Sequence, residues 1–182
     1  KGVMVSHGNL IDNSKQLERS FDYNESTIGV SWLPQYHDMG LIGSILQPLY
    51  GGWLMHLFPP SQFVRNPLAW LRLISKVRAT ISGAPNFAFD YCCDRLELED
   101  AGELDLSCWK VAYCGAEPIR KSSVQRFGDV FSRYGYSEKA FFPVFGMAEH
   151  TLICAAGPVD KLYDSVTIAA EPLAQSNEVI LA

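Results

Sequence analysis

Glu149 closes the run Phe145-Gly146-Met147-Ala148-Glu149, which sets an aromatic face and a carboxylate around small residues. An aromatic ring can stack on a planar ligand, and a carboxylate can hold magnesium, which prefers oxygen ligands shared with substrate phosphates. A glutamate at a helix start also simply favours the helix dipole. Pro34-Gln35-Tyr36-His37-Asp38-Met39-Gly40 places an imidazole beside a carboxylate directly after an apolar stretch. That pair suits a ligand-facing loop, and it equally suits a capped helix start with a packed histidine. Cys114-Gly115-Ala116-Glu117-Pro118 has small residues that let a flat ring lie against backbone, although a plain strand-to-helix turn has the same composition. Lys1-Gly2-Val3 ahead of Ser6-His7-Gly8-Asn9-Leu10 reads as a surface lysine before a helix cap, or as the tail of a phosphate-binding loop.

These runs need elements to hold them. Ser6 can cap a helix carrying Leu10, Ile11, Leu17 and Phe21, and a strand follows over 27–33. A helix is predicted over 39–49, a strand over 53–58, and a helix from Asn66 and Pro67 to Arg78. The pattern continues as strand 79–82, helix 85–98, strand 109–114, a helix from Pro118 to Tyr134-Gly135, and strand 140–145. Strands alternating with helices predict an α/β fold, with right-handed crossovers and a largely parallel sheet flanked by helices on both faces. Ligands in such sheets gather at the carboxyl ends of strands, so the loops after Leu33, Cys114 and Phe145 are the candidate site. Beyond Gly157 the alternation fades.

The composition narrows the function classes. The chain has 182 residues, 48% hydrophobic and 19% charged, which is the make-up of a packed globular protein and not of a disordered tail. A net charge of −5 argues against binding nucleic acid by broad phosphate neutralisation. No charged residue occurs from 39 to 64, but Gln47, Pro48, Gly51, Gly52, His56 and Pro59-Pro60 break that stretch, so no membrane span is expected. The five cysteines lack Cys-x-x-Cys spacing, and His7, His37, His56 and His150 share no ligand spacing, so a metal cage is not expected. Free thiols and the lack of an export signal point to a cytoplasmic location. Gly-x-Gly-x-x-Gly, a complete Walker loop and Gly-x-Ser-x-Gly are all absent.

Taken together, Lys1-Gly2-Val3-Met4-Val5-Ser6-His7, Trp32-Leu33-Pro34 with His37-Asp38-Met39-Gly40-Leu41, Gly83-Ala84-Pro85-Asn86-Phe87-Ala88-Phe89, Gly115-Ala116-Glu117-Pro118 and Phe145-Gly146-Met147-Ala148-Glu149 occur in the order of the adenylate-forming enzymes. Within that superfamily the chain resembles a fatty acyl-AMP ligase over nearly all of 1–157. The resemblance implies an incomplete piece of the N-terminal domain, with residues 1–157 its central α/β part. By the same resemblance, residues 158–182 are expected to be a peripheral segment that could begin a family-specific insertion. The opening at Lys1, without methionine, fits a cut inside a longer protein. The start of the phosphate loop is expected before Lys1, and a C-terminal domain with a catalytic lysine after Ala182. The segment alone is therefore expected to be inactive.

The resemblance also implies a reaction: a fatty acid is activated with ATP and magnesium to an acyl-adenylate, then passed to an acyl carrier protein or a polyketide or peptide synthetase module. Glu149 and His37 would be catalytic, with Glu149 on the metal and His37 near the acyl-phosphate junction. Lys1, Gly2, Gly115, Ala116, Glu117, Pro118, Phe145, Gly146, Met147 and Ala148 would bind the nucleotide. Met39, Gly40, Ile42, Gly43, Asn86, Phe87 and Phe89 would line an acyl pocket. Two departures from the superfamily pattern each remove a hydroxyl: Ala148 where threonine is common, and Phe145 where tyrosine is common. Thr151 offers a substitute hydroxyl. An acyl-coenzyme A ligase, or a non-catalytic domain that binds an acyl chain or a carrier, are the alternatives.

Overall fold

The computed structural model describes residues 2–181. Ser6 starts the first helix, α1 (His7–Phe21), through a reciprocal cap. The Ser6 hydroxyl accepts from the Asn9 amide at 3.1 Å, and the Asn9 side chain accepts from the Ser6 amide at 3.0 Å. Asp22, in the left-handed region, ends the helix.

Six short strands form one sheet: β1 (Ile28–Ser31), β2 (Leu54–Leu57), β3 (Ile81–Ala84), β4 (Val111–Cys114), β5 (Phe141–Gly146) and β6 (Ile153–Ala156), in the order β2-β1-β3-β4-β5-β6. All neighbours pair parallel except β6, which returns antiparallel to β5. The chain steps from β1 outward to β2 and then back across to β3, so the order reverses at β1/β3, the place where such sheets open a ligand crevice.

One face of the sheet carries α1, α2 (Asp38–Leu41) and α3 (Gln47–Gly51). The other carries α5 (Leu68–Val77), α6 (Asn86–Leu96) and α7 (Lys121–Phe131), with α4 (Pro60–Arg65) at its edge. The second face is an aromatic core. Trp32 stacks on Phe63 at 3.8 Å between centroids, Trp70 meets Trp109 edge-on at 5.3 Å, and Phe89 meets Phe127 edge-on at 5.0 Å. Trp70 is fully buried, and its indole N–H donates to the Ser82 hydroxyl at 2.7 Å. Side chains alternate along a strand, so Ile81 and Tyr113, next to Ser82 and Ala112, point the other way towards α1. Tyr113 and Phe21 are accordingly 6.0 Å apart between ring centroids.

The parallel α/β sheet is as the sequence predicts, but several boundaries differ. The helix expected over 39–49 is divided into α2, a wide π-turn over Ile42–Leu46, and α3. Pro48 cannot donate to the Ser44 carbonyl and its ring would crowd it; a widened turn is the usual accommodation. Asn66 makes no side-chain cap; Pro67 occupies the cap position of α5, and the buried Asn66 Oδ1 has no partner among the described residues. Pro118 does not start α7, because the Arg120 amide is held by Asn86 Oδ1 at 3.0 Å and the helix begins only at Lys121. Past residue 157 the described chain has a short helix, α8 (Ala170–Ser176), and one isolated bridge between Ile168 and Leu181. Its Val159 and Tyr163 pack on the core.

Candidate active site

On the α1 face a cleft of about 300 Å³ opens between the sheet, α1 and the loops at the carboxyl ends of β1, β4 and β5. Its floor is Met55, Ile81, Tyr113 and Val144, and Leu17 and Phe21 of α1 form one wall. Towards the loops it is bounded by His37, Asp38 and Met39, by Ala116, and by Phe145 to Ala148. The three loops singled out from the sequence therefore meet around one cavity. The interior is apolar and the polar groups sit at the loop end, an arrangement suited to a ligand with a greasy part and a charged part.

His37 occupies the N-cap position of α2 and stands over the cleft. Its Nδ1 lies 2.6 Å from Asp38 Oδ1, and the Met39 amide is 2.7 Å from the same oxygen and 3.2 Å from Nδ1. Nδ1 cannot accept from Met39 and donate to Asp38 at once. At 2.6 Å a lone pair facing a carboxylate would be strongly repulsive, so Nδ1 carries a proton and Asp38 accepts both hydrogens. Gly40 has a steric reason to be glycine, since a Cβ there would lie 2.2 Å from the Pro34 carbonyl oxygen. The close approach of α2 to the end of β1 is what sets His37 at the cleft.

At the opposite wall, Ala116 has φ 66°, a conformation uncommon for a residue with a Cβ. Phe145 is 61% exposed, an apolar ring left open at the rim of the cleft. Gly146 lets the Leu152 carbonyl approach within 2.1 Å of where a Cβ would be, and that carbonyl accepts from the Met147 amide at 2.9 Å. Tyr113 at the floor is buried, which pushes its phenol up to about 12 against the opposing effect of hydrogen bonds with Ser44 and Ser31.

Glu149 lies on a single 3-10 turn, Ala148–His150, and lines an adjoining hollow with Met4, Val5, Asp12, Asn13 and Thr151. Its neighbour across that hollow is the N-terminal segment in which the sequence suggested a phosphate loop. Among the described residues no cluster of three or more metal-ligating side chains occurs. An exposed carboxylate beside open space still fits magnesium, which binds through one or two carboxylates plus substrate phosphates and water.

Other residues singled out from the sequence lie elsewhere. Lys1 is outside the described residues, and Gly2 is exposed. Ile42 is buried against the fold, and Gly43 lines the cleft. Gly115 abuts Val144, whose Cγ2 would be 2.6 Å from an added Cβ. Glu117, Pro118, Asn86 and Phe87 line a second hollow, away from the cleft. Phe89, 2% exposed, belongs to the aromatic core of the opposite face. The expected acyl-pocket positions Asn86, Phe87 and Phe89 do not line this cleft: α6 packs against the face that Ser82 looks towards, and the cleft is on the other. The floor residues Ile81, Tyr113 and Val144 were missed, although period-two alternation in their strands carried the signal. Leu152 and Ile153 were missed with β6 itself.

A parallel sheet with loop tips from three strands gathered on one cleft defines a ligand-binding α/β domain of the doubly wound kind. The chain matches the model of the AMP-binding enzyme family over residues 1–179, and it belongs to that family. It is similar to the medium-chain-fatty-acid–[acyl-carrier-protein] ligase TtuA of Teredinibacter turnerae, with 47% identity over 86% of this chain and 24% of that protein. It is also similar to the corresponding ligase JamA of Moorena producens, at 36% identity over 100% of this chain and 31% of JamA. The crystal structure of a fatty acid AMP ligase from Legionella pneumophila superposes with a TM-score of 0.96 at 47% identity, covering 100% of this chain and 32% of that one. The chain therefore spans about a third or less of the relatives it matches.

Proposed function

We propose that this chain is the central part of the adenylating domain of a fatty acyl-AMP ligase. The observation that carries the reading is that Phe145, Ala116 and His37 border one cleft whose interior is apolar. The reaction is attack of a fatty-acid carboxylate oxygen on the α-phosphorus of ATP. An oxygen–phosphorus bond forms, the bond to the β-phosphate oxygen breaks, and pyrophosphate leaves with its electron pair. The acyl group then passes to the thiol of an acyl carrier protein, free-standing or within a polyketide or peptide synthetase module, in the cytoplasm: the thiol sulfur bonds the acyl carbon and gives up its proton, the acyl carbon–phosphate oxygen bond breaks, and AMP leaves with the electron pair. TtuA and JamA, named as acyl-carrier-protein ligases, support that acceptor over coenzyme A.

In this reading the chain lies along the floor past Met39 and Gly43, and each buried methylene contributes about 0.8 kcal/mol. Phe145 covers one face of the adenine and Gly115 to Ala116 the other, while Gly146 to Ala148 follow the nucleotide. His37 presents Nε2 near the carboxylate–phosphate junction. Glu149 would hold magnesium, which when bound screens charge on the phosphates. The protein's own share is positioning and electrostatic preorganisation rather than proton transfer.

The test is fatty-acid-dependent pyrophosphate release by the full-length protein, with Glu149→Ala alongside. The expected result is release that requires fatty acid and is lost in the variant at limiting magnesium. Full activity of Glu149→Ala under those conditions would remove the metal assignment, and acyl-coenzyme A formed as readily as acyl carrier protein would overturn the acceptor.

A further inference from the structure

Asn13 sits in the second turn of α1, 4% exposed, and reaches across to a turn 140 positions later in the chain. Its Oδ1 accepts from the Ile153 amide at 3.1 Å, and its Nδ2 donates to the Ile153 carbonyl at 3.0 Å and to the His150 carbonyl at 3.3 Å, with Gln16 Oε1 also at 3.3 Å. The primary amide thus pairs with Ile153 as a neighbouring strand would, on the open side of the edge strand β6.

The segment it grips is strained. The Leu152 amide donates to the His150 carbonyl at 2.9 Å around Thr151, which has φ 71° and ψ −62°. That is a γ-turn of the rare hand, centred on a β-branched residue. Such a turn relaxes unless its surroundings over-determine it, and the His150 carbonyl is held by Asn13 as well as by Leu152. Glu149 is the residue immediately before the turn. We propose that Asn13 is a positioning residue for Glu149: its amide locks the strained turn and so fixes where the metal-facing carboxylate stands. This rests on the reading of Glu149 as the magnesium ligand.

The test uses the full-length ligase with Asn13→Leu, Asn13→Asp and Glu149→Gln. Amide hydrogen exchange is measured without nucleotide or metal, together with the magnesium dependence of fatty-acid-dependent pyrophosphate release. In Asn13→Leu, exchange in peptides covering 149–154 is expected to quicken about tenfold or more while β1, β3 and β4 are unchanged. Half-saturating magnesium is expected to rise about tenfold in both Asn13 variants, with KM for the fatty acid altered less than twofold. In Asn13→Asp the carboxylate faces two carbonyls, and protonation restores one donor, so its activity relative to the unmodified ligase should climb as pH falls from 8 to 5.5. An unchanged magnesium requirement in the Asn13 variants, with a raised one in Glu149→Gln, would overturn the positioning role and leave the metal assignment standing. An unchanged requirement in Glu149→Gln would overturn both. Faster exchange throughout the sheet, or loss of folded protein in both Asn13 variants, would also overturn it, since Asn13 would then serve the whole fold.

Discussion

Glu117 Oε1 accepts a hydrogen bond from the Phe87 amide at 2.7 Å, joining the loop after β4 to the first turn of α6. The α6 cap residue, Pro85, has no side-chain acceptor to offer, so this carboxylate supplies one to an otherwise unpaired helix amide. The same loop is tied a second time where Asn86 Oδ1 accepts from the Arg120 amide, and the Asn86 amide donates to Ser123, whose hydroxyl donates to Asp90 at 2.6 Å. Glu117→Ala should therefore lower stability by about 1–2 kcal/mol. Glu117→Gln, which keeps an acceptor without the charge, should recover about half. Denaturant midpoints of the full-length protein measure both, and, on the proposed function, a several-fold rise in KM for ATP should accompany the larger loss, because Ala116 loses its anchor.

Gly43 lines the cleft, and a Cβ added there would meet only Leu152 Cδ2, at 3.5 Å. A Cβ can thus be carried there in ordinary van der Waals contact. Gly43→Leu is expected to leave the denaturation midpoint nearly unchanged and to shift acyl preference towards shorter chains. Each methylene excluded should cost about 0.8 kcal/mol, or about fourfold in kcat/KM. A series of saturated acids of increasing length, assayed by pyrophosphate release, reads the shift.

Alkaline pH should unfold this domain early. Burial pushes the thiols of Cys93 and Cys114 up to about 12 from an ordinary 9.0, and the phenol of Tyr113 up to about 12 from 10.0. These groups are folded in their protonated forms, whereas the unfolded chain releases their protons at lower pH. Their contribution is complete below pH 9 and is lost as pH rises through 9 to 12, each group adding a slope of at most about 1.4 kcal/mol per pH unit. Chemical unfolding at intervals between pH 7 and 11 should show a flat region that turns downward above 9. Replacing Cys114 with Ala should soften the decline.

Much of the fold was legible because the local signals agreed. The cap at Ser6, the apolar strands and the punctuating prolines and glycines all pointed to alternating elements, and the loops after Leu33, Cys114 and Phe145 do meet at one cleft. What escaped depended on tertiary context. β6 is a four-residue edge strand, half of it exposed, whose partner on the open side is the Asn13 side chain and not a strand, so no sequence pattern announces it. Glu117, Asn86 and Phe87 stood in the right motifs, yet their hydrogen bonds turn them to the second hollow. Phe89 could have faced either side of the sheet until the packing of α6 on Trp70 and Trp109 decided it.

The tautomer of His37 offers a final prediction, because two arrangements compete for the Met39 amide. With Asp38 in place, that amide is 2.7 Å from Asp38 Oδ1 and 3.2 Å from His37 Nδ1, and the carboxylate also takes the Nδ1 proton. Asp38→Ala removes both the shorter acceptor and the proton's partner. The Met39 amide then has only Nδ1 to donate to, which requires an unprotonated Nδ1 and moves the proton to Nε2. In the neutral ring the Nε2 edge would change from acceptor to donor, while α2 gains a cap through the Nδ1 bond. Nitrogen chemical shifts of selectively labelled histidine should therefore exchange between Nδ1 and Nε2 in the variant. Retention of the Nδ1–H form in Asp38→Ala would show that something other than Asp38 sets the ring's protonation.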